Sequence, residues 1–187
     1  MIAAGDLQSG RLPPEPFVDA LIAARLCALD PGLGGMILRG GGALCDGVIA
    51  ELRARLPEKA PIRRLPGHID DDRLLGGIDL TAALARGVVR RRAGLLAEAH
   101  GGIVVVPMAE RLSEATAGRL AAAMDGGMVA AEFEGAPGCD RTQFLTIALD
   151  EGIEPDERAP AAVAERVAFW LDPVSYTHLT LPTKRIV

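Results

Sequence analysis

Residues 36–57 read MILRGGGALCDGVIAELRARLP, and the fold turns on how they are parsed. Met36-Ile37-Leu38 is a short apolar run of the kind a buried strand shows. Gly40-Gly41-Gly42 interrupts it, and a helical pattern follows from about Asp46 to Leu56, ended by Pro57. Strand, glycine turn and helix in that order frame a βα phosphate-binding unit.

On the N-terminal side, residues 15–30 place Phe17, Ala20, Leu21, Ala24 and Ala28 on one helical stripe, before Pro31 and glycines 32, 34 and 35 stop the helix. On the C-terminal side, residues 61–65 read as a second strand and 68–77 as an acidic, glycine-paired loop. Asp79 is expected to cap a short helix to Ala85, with an exposed hairpin or turn over 87–93 and a short helix near 95–99. Ile103-Val104-Val105-Val106, β-branched and set between Gly102 and Pro107, predicts a central parallel strand. Ser113 is placed to cap a helix running to about Met124. Residues 128–134 and 142–149 are strand candidates, the second apolar enough to be central, and a charged loop leads to a helix from Pro160 to about Leu171. Alternating strands and helices imply an α/β class: a three-layer sandwich on a mostly parallel sheet.

Composition narrows the function classes. The chain has 187 residues, 49% hydrophobic and 3% aromatic, with 20 Lys+Arg against 25 Asp+Glu and a net charge of −5. That balance gives no global basis for binding nucleic acid or an anionic membrane. No apolar run approaches the ~20 residues of a membrane span. Cys27, Cys45 and Cys139 are scattered and form no CxxC pair, as are His68, His100 and His178; the expectation is a reducing cytoplasm and no metal site. Residues 1–14 read as a Pro-rich lead-in and 15–173 as the domain. Residues 174–187 (VSYTHLTLPTKRIV) differ so sharply in composition that they read as non-native read-through, which would leave the domain truncated.

A working P-loop, G-x-x-x-x-G-K-[ST], would start at Gly40, but Cys45 then takes the place of the second glycine, Asp46 that of the lysine and Gly47 that of the hydroxyl residue. An aspartate there sets an anion beside a polyanion. A strand followed by Asp-Glu would hold Mg²⁺ and polarise water, yet Pro107-Met108 follows Val106. Glu110, at helical spacing beyond, reads as solvated surface. These replacements argue against ATP hydrolysis by this chain alone.

The frame around the altered motifs nevertheless has a counterpart. Leu75-Gly76-Gly77-Ile78-Asp79-Leu80, Gly94-Leu95-Leu96-Ala97-Glu98-Ala99 and Glu165-Arg166-Val167 resemble, in order, three segments of the AAA+ module of magnesium chelatases, a P-loop NTPase-like fold. With both nucleotide motifs eroded, the chain is most similar to the N-terminal AAA+ domain of the D subunit, over roughly residues 15–172. The resemblance implies a non-hydrolysing partner of the ATPase I subunit, in a complex that uses ATP and Mg²⁺ to insert Mg²⁺ into protoporphyrin IX held by an H subunit. It also implies that the helical lid and a C-terminal metal-binding domain lie outside this chain, and that no cofactor is bound strongly in cis. Alternatives are an active AAA+ ATPase with an unusual site, or an assembly module of the MoxR-like kind outside tetrapyrrole synthesis.

Several residues carry two readings. By its match, Arg166 would serve as an arginine finger toward a neighbour's nucleotide; the plain alternative is a helix arginine paired with a nearby acid. Asp150 stands where a sensor asparagine would, or simply ends a strand. Asp70, Asp71 and Asp72 read as a solvated loop, since consecutive carboxylates do not converge on one ion without a turn. Arg90, Arg91 and Arg92 read as a hairpin tip, with docking to a partner as the alternative.

Overall fold

The computed structural model describes residues 15–78, 91–133, 136–154 and 156–172. The lead-in, the predicted Asp79 helix, Arg90 and residues 173–187 lie outside them.

Strand alternation builds the core. β1 (Gly35–Arg39), β2 (Ile62–Arg64), β5 (Ile103–Val106), β8 (Leu145–Asp150) and β9 (Phe169–Leu171) form one parallel sheet in the order β2-β5-β8-β1-β9. Side chains leave successive strand positions on opposite faces. Met36 and Leu38, Ile103 and Val105, and Leu145, Ile147 and Leu149 therefore pack with α1 (Glu15–Leu29) and α2 (Ala43–Arg55). Ile37, Val104, Val106 and Ala148 pack on the other face with α3 (Asp71–Leu74), α4 (Leu95–Glu98), α5 (Glu114–Gly126) and α6 (Ala161–Ala164). Helices on both faces of a parallel sheet make the three-layer sandwich expected from the alternating pattern, and β5 and β8 lie inside it, as the unbroken apolar run of β5 and the largely apolar stretch of β8 predict.

Outside the central sheet, β3 (Gly76–Ile78) pairs antiparallel with β4 (Arg91–Ala93), and β6 (Met128–Phe133) with β7 (Ala136–Arg141). Three expectations are corrected here, and one strand is placed. Residues 68–77 are not all loop: Asp70 precedes the one-turn helix α3, and Gly76 and Gly77 enter β3. The strand expected at 128–134 is present as β6, in a hairpin apart from the central sheet, and its partner, APGCDR, contains Pro and Gly that argue against strand by propensity. The helix from Pro160 stops after Ala164, and Phe169-Trp170-Leu171 forms an edge strand on β1. Pairing with an exposed sheet edge outweighs the helical preference of an Ala-rich segment. Finally, α2 begins at Ala43, ahead of the predicted Asp46.

Ser113 caps α5 as its position predicts, its Oγ accepting the Thr116 N–H at 3.2 Å. Ser113→Ala is expected to cost about 1 kcal/mol, read as a lower urea midpoint at constant m-value.

Candidate functional site

Parallel strands set the ends of β1, β5 and β8 side by side, so the C-terminal edge of the sheet gathers nearly all the residues singled out by spacing. Gly40, Gly41 and Gly42 make the whole connection between β1 and α2. Gly40 and Gly42 adopt φ of 91° and 86°, open to glycine, and the Gly40 N–H donates to the Asp150 carbonyl at 2.8 Å. A P-loop wraps phosphate in the N–H groups of the residues between its two glycines; here the helix has already started at Ala43, and too little chain is left to do so. Cys45 is buried, its thiol donating to the Gly40 carbonyl at 3.4 Å. Asp46 is exposed in the first turn of α2. Gly47 serves packing: a Cβ there would stand 3.3 Å from Cζ of Phe17 on α1.

The turn is also lined with acid. A side chain added at Gly41 would meet the Glu151 carboxylate carbon at 3.8 Å, so the protein's own anion stands at the start of α2, where the helix dipole favours one. Burial, then Asp46, Glu151 and Asp172, push the Cys45 thiol up to about 11. A helix N-terminus ordinarily lowers a thiol pKa, so the negative surroundings and burial outweigh the dipole. Like charges about 4 Å apart repel by about 1 kcal/mol in water and about 4 kcal/mol near a protein surface. Glu151 and Asp46 therefore oppose a further anion placed at this turn. Cys27 is likewise buried and raised to about 11 by burial and then Asp30, whereas Cys139 is exposed. Disulfide-exchange labelling of native protein at pH 8 is therefore expected to titrate one thiol quickly and two only after denaturation; three fast thiols would contradict this packing.

Asp150 ends β8 with its side chain 4% exposed. Oδ1 accepts the Gly152 N–H at 3.1 Å; Oδ2 accepts the Ala159 N–H at 3.3 Å and faces Arg39 Nη1 at 3.4 Å. Arg39 also donates to the carbonyls of Gly152, Glu154 and Glu157. Both side chains are thus committed to holding the loop after β8, which favours the strand-ending reading of Asp150. Glu110 corrects an expectation: its side chain is 6% exposed, and Oε2 accepts the Glu151 N–H at 3.0 Å, so it braces that loop. Pro107 and Met108 follow β5 with no carboxylate; Met108 is exposed and adopts φ 47°, a left-handed turn that leads into a 3-10 turn over Ala109–Arg111.

Arg166 lies elsewhere. It precedes β9 at the opposite, N-terminal edge, beside Gly34, Met124 and Gln143, and its side chain is 30% exposed. Nε and Nη2 donate to Asp125 Oδ1 and Oδ2 at 2.8 and 2.7 Å. Each partner holds the other charged, Arg166 raised and Asp125 lowered from their ordinary values chiefly by this hydrogen bond. Asp71 pairs with Arg119, and Arg91 and Arg92 lie in β4. Among the described residues no group of three His, Cys, Asp or Glu is arranged to hold a metal ion, and no helix is long and apolar enough to cross a membrane.

Sequence reasoning missed Arg39, Glu151 and Asp125. Arg39 had a signal, since an arginine ending a buried strand needs an acidic partner. Asp125 had none, being 41 positions from Arg166.

No protein-family model matches the chain. It is 38% identical over 163 residues to the magnesium-chelatase 60 kDa subunit of Cereibacter sphaeroides, covering 86% of this chain and 26% of that protein. Over 151 residues it is 34% identical to the magnesium-chelatase 60 kDa subunit of Rhodobacter capsulatus, covering 80% and 24%. The chain belongs to the magnesium-chelatase 60/67 kDa subunit family. It spans about a quarter of the length of those two relatives. Among solved structures, the complex of subunits BchI and BchD of magnesium chelatase aligns with a TM-score of 0.64 at 19% identity, covering 88% of this chain and 64% of that one. At that identity the likeness carries the fold, which is that of the AAA+ ATPases. The C-terminal sheet edge of this family member has a β1–α2 turn of three glycines, with Glu151 beside Gly41 and Asp46 in the first turn of α2.

Proposed function

We propose that this chain is the ATPase-like module of a magnesium-chelatase subunit that does not itself hydrolyse ATP. It assembles with an ATPase I subunit in the cytoplasm, and the complex uses ATP and Mg²⁺ to insert Mg²⁺ into protoporphyrin IX carried by an H subunit. The observation that carries the reading is the Glu151 carboxylate against Gly41, with Asp46 in the first turn of α2. A carboxylate thus stands beside the turn where a P-loop would hold phosphate, and neither Pro107 nor Met108, directly after β5, can hold Mg²⁺ or take a proton from water. Family membership supports the substrate class. The remote position of Arg166 supports a contribution in trans, because an arginine finger serves the site of the adjoining subunit.

Calorimetric titration of the full-length subunit alone with MgATP tests the cis half of this reading. The expected result is no saturable heat up to about 1 mM, the upper end of ordinary substrate affinities, and no phosphate release. Micromolar binding with turnover would overturn it.

A further inference from the structure

The Arg166 guanidinium is held on more than one side. Besides the two bonds to Asp125, Nη1 donates to the Ala162 carbonyl at 2.8 Å. A guanidinium has five N–H groups; these three bonds leave one on Nη1 and one on Nη2. Asp125 sits in the last turn of α5, which holds no basic residue and ends at Gly127 with φ 60°. A helix C-terminus disfavours an acid, so Asp125 stands against its local preference, a mismatch that is expected at functional positions. The cleft beside Arg166 is bordered by Gly34, Gly102, Gly126 and Gly127, which leave it room on that side.

We propose that Asp125 is a positioning residue: it clamps the side-on edge of Arg166 and presents the two remaining N–H groups to a phosphate bound on a neighbouring subunit. This rests on the reading of Arg166 as a residue acting in trans. A free surface arginine gives up rotamer freedom when it engages a ligand; a clamped one has given it up beforehand. The carboxylate lowers the net charge offered to the phosphate, so clamp and mask predict opposite signs for its removal.

The test is a double-mutant cycle in the full-length subunit reconstituted with its I-subunit partner, reading kcat and KM for MgATP. Asp125→Ala is expected to lower the stimulated kcat about 10-fold, Asp125→Glu to recover most of it, and Asp125→Ala to add nothing once Arg166 is alanine. Equal melting temperatures and equal complex formation separate this from a folding defect, and the Glu variant serves if the Ala variant is unstable. If Arg166→Ala has no effect, the trans reading falls and this inference with it. If Arg166→Ala is damaging but Asp125→Ala is silent, additive or stimulatory, only the clamp is overturned.

Discussion

Arg166→Ala is expected to reduce the part of the I subunit's ATP turnover that depends on this chain by about 10³-fold. An arginine delivered across an interface neutralises charge developing on the transferred phosphoryl group, in a site from which water is excluded. Arg166→Lys keeps the charge but loses the planar fork, so it should recover only a small part. The check is the steady-state ATPase rate of the reconstituted complex at saturating MgATP, with sedimentation showing that assembly persists. An unchanged rate in an intact complex would leave Arg166 as an ordinary ion-paired surface arginine.

The second large effect concerns stability. Gly35 opens β1 with φ 128°, and a Cβ there would stand 1.9 Å from the Thr146 carbonyl oxygen of β8. That oxygen belongs to the backbone of a central strand and cannot move without breaking the β1–β8 ladder. Gly35→Ala is therefore expected to cost more than about 4 kcal/mol, comparable with the whole stability of a domain, and to abolish cooperative urea unfolding. Gly118 is the control: it lies within α5 with open space around its Cβ position. Gly118→Ala should stabilise by about 0.5–1 kcal/mol. A folded Gly35→Ala protein of wild-type midpoint would contradict the sheet register.

Legibility in the sequence followed how local the signal was. Ile103–Val106 and Leu145–Asp150 announced central strands because both faces of each are buried, and the composition of the run says so directly. Ser113 announced its cap, since the cap bond spans three positions. Residues 169–171 sit in a stretch whose local pattern predicts helix, and only pairing with β1, over a hundred positions away, makes them an edge strand. At the site, Asp46 and Pro107-Met108 were readable as replaced chemistry within short motifs. The reach of Glu151 to Gly41, the burial of Glu110 and the Asp125–Arg166 pair were not, because each depends on where distant loops meet.

In the proposed function, this chain completes a neighbour's site without running one of its own. Titrating the cognate I subunit with the full-length chain, while following phosphate release, tests it most directly. A saturable change in ATPase rate at a fixed subunit ratio is expected, with no release from the chain alone. Turnover by the chain alone, or a flat titration under conditions where the complex forms, would contradict it.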